Sequence, residues 1–224
     1  PAGRWHWDAP LIIRPHANSR LYFAAERVYR SDDRGDTWRP VSADLSRQMD
    51  RNKLELMGRV WGVDAVAKNT STSLWGAVVA LSESPKQEGL LWAGTDDGLV
   101  QVTADAGQTW VKTDSINGAP KLAFVADIEA SNHDPQVAYA VFNNHKQGDN
   151  KPYIYKTTDG GKSWVSVTGD LPPKSPVWTM VEDHVDPNLL FAGNELGAYF
   201  SLDGGKRWLK FSGVPPIQVR DIAI

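Results

Sequence analysis

The sequence predicts an all-β protein arranged as a β-propeller, with four four-stranded blades and the first strand of a further blade. Three observations predict it. An eight-residue pattern, Ser/Thr-x-Asp-x-Gly-x-Ser/Thr-Trp, recurs four times in the 224 residues. Strand-like runs precede each copy, and a short run follows it. The copies begin at residues 31, 103, 157 and 201, so they lie 72, 54 and 44 residues apart. Four-stranded units repeating every 40–50 residues or so are the mark of propeller blades.

The copies are 31–38, 103–110, 157–164 and 201–208. Their chemistry is that of a tight hairpin corner. The aspartates Asp33, Asp105, Asp159 and Asp203 accept backbone N–H groups a few residues on. The glycines Gly35, Gly107, Gly161 and Gly205 take a positive φ without steric cost. The tryptophans Trp38, Trp110, Trp164 and Trp208 start the next strand and pack an indole across the turn. The fourth copy departs once, with Arg207 where the others carry Thr or Ser. These twelve residues are read as structural, because the turn already uses the carboxylates.

Around the corners, the blades fall at about 5–43, 77–115, 121–170 and 175–213, and 217–224 reads as the inner strand of a next blade. The spacings show where the units are padded. The 72-residue interval holds an insertion over 44–76, longer than ordinary connections; its start, 45–51, is expected as a short helix. A second long loop runs from Asn143 to Lys151. Long insertions on a rigid scaffold are where function concentrates.

Composition narrows the classes. Net charge is −3 with both signs interspersed, so no basic stripe exists for nucleic acid. Cysteine is absent, which removes disulfides, thiol catalysis and thiolate metal sites. No apolar run approaches the ~18 residues of a membrane span. The first residues show neither a start Met nor a signal-peptide pattern, so the chain reads as a piece of something longer. Five histidines lack metal-type spacing, and neither metal nor cofactor is expected.

A glycosidase needs two carboxyl groups about 5–10 Å apart across a cleft. The candidates outside the corners are Asp8, Asp64, Glu83, Asp96, Asp97, Asp127, Glu129, Glu182, Asp183, Glu195 and Asp221; Asp127, Glu129, Glu182 and Asp183 stand out at matching ends of inner strands, from where they converge on the central channel. The alternative is that they are solvated loop charges or cap the channel with Arg14 and Arg220. For partner contact the candidates are Trp61 and Trp75, which flank the insertion, and His145 and Lys146 in the second loop. Trp92 and Trp178 lie inside strands and are assigned to the core. Trp5 and Trp7 share one side if their stretch is extended.

The four corners resemble the BNR/Asp-box repeat superfamily, which includes sialidases, xyloglucanases, sortilin-type receptors and the photosystem II stability/assembly factor. Segments 4–10, 29–35 and 94–98 make the chain more similar to bacterial sortilin-like BNR-repeat proteins, often labelled glycosyl hydrolases. The resemblance implies a propeller, an extracytoplasmic location (periplasmic or secreted), and corners on the face away from any catalytic centre. It does not imply an enzyme, because one fold hosts hydrolases, receptors and assembly factors. The reading is a non-catalytic module that docks on a protein partner in an envelope or membrane-associated assembly, without spanning the membrane itself. The alternative is a carbohydrate-active hydrolase fragment.

Overall fold

A computed structural model describes residues 3–13, 15–56, 58–62, 64–66 and 75–224. Arg14 and residues 67–74 of the insertion lie outside the described residues. Blade 1 is built from β1 (Leu11–Ile13), β2 (Leu21–Ala24), β3 (Val28–Ser31) and β4 (Arg39–Pro40). A small hairpin, β5 (Glu55–Leu56) and β6 (Arg59–Val60), rises from the insertion. Blade 2 holds β7 (Val78–Glu83), β8 (Leu91–Thr95), β9 (Val100–Thr103) and β10 (Val111–Thr113). Blade 3 holds β11 (Phe124–Ala130), β12 (Ala138–Asn143), β13 (Ile154–Thr157) and β14 (Val165–Ser166). Blade 4 holds β15 (Val177–Glu182), β16 (Leu190–Asn194), β17 (Gly197–Ser201) and β18 (Leu209–Lys210). Every sheet is an antiparallel meander in chain order.

The core lies between the sheets. Tyr22, Ala24 and Val28 of blade 1 meet Val78, Leu91 and Ala93 of blade 2. Trp92 and Val100 of blade 2 meet Ala138, Ala140 and Tyr155 of blade 3. Tyr139, Val141 and Ile154 of blade 3 meet Met180, Leu190, Ala192 and Tyr199 of blade 4. Alternate residues of each strand thus face the preceding and the following blade, which is the period-2 pattern of a sheet buried on both faces.

The recurrent corners form one hydrogen-bond unit. In the first, the Ser31 hydroxyl donates to Asp33 Oδ1 (2.7 Å) and accepts from Gly35 N–H (2.8 Å). Asp33 then accepts Thr37 N–H (2.9 Å) and the Thr37 hydroxyl (2.5 Å). Asp105 and Asp159 repeat this with Thr109 and Ser163. The hydroxyl, then the backbone N–H, of these partners draws Asp33, Asp105 and Asp159 down to a pKa of about 2. At Asp203, Arg207 supplies only its backbone N–H (3.0 Å), and the pKa is lowered chiefly by that bond. The indoles of Trp38, Trp110 and Trp164 donate to the glycine carbonyl of their own corner. Trp208 instead reaches Val167 O of the preceding blade (3.3 Å).

The second, third and fourth corners also rest on the blade before them. A Cβ at Gly107 would lie 2.1 Å from Val41 O, one at Gly205 2.6 Å from Val167 O, and one at Gly161 3.1 Å from the Trp92 ring. The first corner has no such neighbour: nothing comes closer than 3.6 Å to a Cβ at Gly35, and Trp38 is 39% exposed.

The insertion starts without the expected helix at 45–51. The Asp44 carboxylate accepts the Ser46 N–H and hydroxyl, a local turn that competes with helical hydrogen bonding. Leu45 is buried in the core between blades 1 and 2, and its N–H bonds Glu26 O (2.8 Å). A short 3-10 turn, Arg51–Lys53, follows. Arg47 binds the carbonyls of Asp97 and Asp114, so residues 44–47 are clamped onto blade 2. Beyond β18 no strand is assigned among the described residues; Val219 N–H bonds Asn194 O (2.9 Å).

Candidate functional site

The innermost strands of three blades share one irregularity. Register shifts between Val78 and Ala80, Val125 and Asp127, and Val177 and Thr179 leave Val79, Ala126 and Trp178 bulged. A bulge re-aims a side chain by breaking the strand's alternation. All three line a cavity of about 410 Å³, together with Asp127, Thr179, Arg220, Asp221 and, from the N-terminal segment, Asp8 and Pro10. Trp178, assigned to the core from its place inside a strand, is therefore a cavity wall. Trp92 is fully buried between blades 2 and 3.

Trp178 stands at the centre of the site. Its indole donates to Glu195 Oε1 (2.8 Å), the Arg220 guanidinium lies 4.3 Å from its ring centre, and the His145 ring sits 5.2 Å away. Burial, then the neighbouring Lys146 charge, lowers the His145 pKa, so at neutral pH the ring is an uncharged, stacking group. A second cavity, of about 280 Å³, adjoins the first through Phe124 and is lined by His6, Trp75, Asp96, Asn143, Asn144 and Lys146. Lys146 Nζ lies 5.1 Å above the Phe124 ring. The N-terminal segment crosses here: His6 packs on Phe124 at 5.4 Å, and Asp8 reaches Arg220 at 4.0 Å.

Three of the four candidate carboxylates are already engaged in hydrogen bonds. Asp127 lines the cavity, but it accepts Thr179 Oγ1 (2.9 Å), Met180 N–H (2.9 Å) and Ile128 N–H (2.8 Å), tying blade 3 to blade 4. Burial nonetheless pushes its pKa up to about 6. Glu129 lies on the same strand face and is pushed up to about 8 by burial and then by the charges of Asp127 and Glu182. Glu182 is buried between the blades and accepts the Ser131 hydroxyl (2.6 Å), Asn132 N–H (2.7 Å) and Tyr139 hydroxyl (2.9 Å). Asp183 caps a turn through Val185 N–H (2.7 Å) and Asp186 N–H (2.8 Å), which lower its pKa.

The partner-contact candidates divide. Trp75 and Lys146 line the second cavity and His145 borders the first. The Trp75 indole donates to Asp96 O (3.0 Å). Trp61 belongs elsewhere, under the Arg59 guanidinium at 3.4 Å. Trp5 packs on Phe23 and Tyr29 of blade 1, while Trp7 is 78% exposed. Among the described residues no cluster of three or more His, Asp or Glu side chains is placed to hold a metal ion.

No family model and no curated protein matches this chain. Solved structures do. The GH74 xyloglucanase from Xanthomonas campestris superposes with a TM-score of 0.62 at 18% identity, over 91% of this chain and 29% of that one. YCF48 from Cyanidioschyzon merolae gives 0.55 at 13%, over 89% and 55%. The Cps50 (Swd1) β-propeller domain of Myceliophteria thermophila gives 0.59 at 11%, over 96% and 58%. The fold is a β-propeller. At these identities the likeness carries the fold alone, and this propeller segment spans less than a third of the xyloglucanase.

The raised acids set a pH dependence for this propeller. Glu129 is protonated in the fold up to about pH 8 but only to about 4.5 when unfolded. Between those values the folded state holds the extra proton, so stability falls as pH rises through the window. Asp127 and Asp96, both pushed to about 6, add the same slope at lower pH. Glu129→Gln is expected to remove most of the loss between pH 6 and 8.5, raising Tm at pH 8.5 by roughly 3–6 °C. Thermal unfolding across that range checks it; an equal fall in the variant would contradict a Glu129 that holds its proton in the fold.

Proposed function

We propose that this propeller segment binds a partner protein through the inner mouth and does not itself cut a substrate. The observation that carries the reading is how the side chains there are employed. Asp127 and Glu182, the carboxylates a hydrolase would need free, each hold three donors, and two of Asp127's and all of Glu182's cross the seam between blades 3 and 4. The mouth itself offers Trp178, Trp75, His145, Lys146 and Arg220, an aromatic and cationic mixture of the kind that anchors protein interfaces. The reading carries with it a location outside the cytoplasm, at the periphery of an envelope assembly; no helix among the described residues is long and apolar enough to cross a membrane.

The test compares what the native chain and the charge-reversed variant Lys146→Glu/Arg220→Glu retain on purification from the source organism, with circular dichroism as a folding control. The expected result is a partner held by the wild type and lost by the variant. Equal retention by both refutes the placement. Deleting 44–76 is a poor test, because Leu45 is core and Arg47 clamps blade 2.

One observation favours a hydrolase instead. Asp127 and Asp221 share the 410 Å³ cavity, and the xyloglucanase has this fold. Release of reducing sugar from a glycan panel that includes xyloglucan, lost on Asp127→Ala and on Asp221→Ala, would establish that reading.

A further inference from the structure

We infer that the outer face of blade 4 is a docking surface for three more antiparallel strands of the same repeat, with residues 219–224 as their innermost strand. This goes beyond the binding reading of the mouth and does not depend on it. It follows from comparing the fourth seam with the three the chain completes.

Tyr22, Trp92 and Tyr139 occupy one register position on successive second strands, opposite Arg30, Val102 and Lys156. Each is fully buried, and each shares its cluster with an alanine of the following blade: Ala93, Ala140 and Ala192. Phe191, opposite Phe200, holds that position in blade 4. It remains partly exposed and stacks only on its own blade's Phe211, at 6.2 Å.

The corners agree as well. Val41, Thr113 and Val167 each meet the corner glycine of the following blade: Gly107, Gly161 and Gly205. Phe211 takes that place in blade 4 and is 36% exposed.

The first piece of the missing sheet is in place. Val219 N–H bonds Asn194 O (2.9 Å) as Val78 N–H bonds Ala25 O (2.8 Å). Val219 presses on Gly193 as Val125 presses on Gly94. Residues 219–224 therefore take the register of 125–130.

That register selects the occupant. A second copy of this chain would bring its own β1 into the place of 219–224. It would also bring Phe23, beneath Trp5 at 4.7 Å, where the buried seams carry alanine. The surface fits strands two to four of a blade with a small residue opposite Phe191 and a corner glycine for Phe211.

The experiment appends a second copy of residues 131–170, strands two to four of blade 3, directly after Ile224. The expected result is one cooperative transition with Tm raised by about 5 °C or more. Phe191→Ala should then lower Tm more in the extended chain than in the original. An unchanged Tm with the added residues cleaved by protease overturns the proposal. Two measurements on the unextended chain stand independently of whether the extension folds. Phe191→Ala should shift Tm by less than a third as much as Tyr139→Ala, and an equal shift overturns an open face. Sedimentation should show a monomer; a dimer abolished by Phe191→Ser overturns the assignment in favour of a second copy.

Discussion

Gly107→Ala is expected to destabilise the fold by about 3 kcal/mol or more, and Gly35→Ala by only about 1 kcal/mol. The two glycines have almost the same backbone, with φ +98° and +101°. Both therefore carry the same strain when a Cβ is added. They differ in what lies beyond the turn. A Cβ at Gly107 meets Val41 O at 2.1 Å, and backbone cannot swing aside as a side chain can; at Gly35 the nearest atom is 3.6 Å away. The difference between the two variants thus isolates the blade-on-blade contact from the conformational cost. Urea denaturation of both measures it. Equal losses would mean that the corners do not bear on the preceding blade.

Glu182→Ala is expected to cost about 3–5 kcal/mol. The substitution strands three donors in the interior: the Ser131 and Tyr139 hydroxyls and the Asn132 N–H. Ser131 and Tyr139 are themselves buried, at 1% and 0% exposure, so water does not readily replace the carboxylate. Asp183→Ala, one residue along, removes only an exposed turn cap and should cost far less. Equilibrium unfolding separates the pair. A stable Glu182→Ala protein would take Glu182 out of the seam and return it to the list of catalytic candidates.

The architecture was legible because it repeats. The corner at Asp33, Gly35 and Trp38 has a chemistry that recurs at fixed offsets, and the alternation of β12 or β16 needs only a period of two. What was hidden depends on contacts between units. Nothing local to Asp127 says that it accepts Thr179 and Met180 from a strand some fifty residues away. Nothing local to Glu182 says that Tyr139 bonds it. Trp178 was misplaced for a different reason. The bulge at Val177 inserts one residue and reverses which side the next chain atoms face, and a bulge leaves little trace in an apolar strand such as 177–182. The insertion misled through composition: 45–51 suits a helix, but the Asp44 carboxylate captures Ser46 first. The mouth was partly visible. His145 and Lys146 were found from loop length, whereas Arg220 reaches Trp178 because its neighbour Val219 bonds Asn194 O of blade 4.

Amide hydrogen exchange at the four corner glycines tests the central claim most directly, because it reads each corner's contact with its neighbour without altering a residue. All four N–H groups bond a Ser or Thr hydroxyl at 2.8–3.0 Å, so the local bond is the same in each. Gly107, Gly161 and Gly205 should exchange only when the whole propeller opens, and Gly35, with no preceding blade against it among the described residues, should exchange faster by local fraying. Four equal rates, or fast exchange at Gly107 and Gly205, would contradict it.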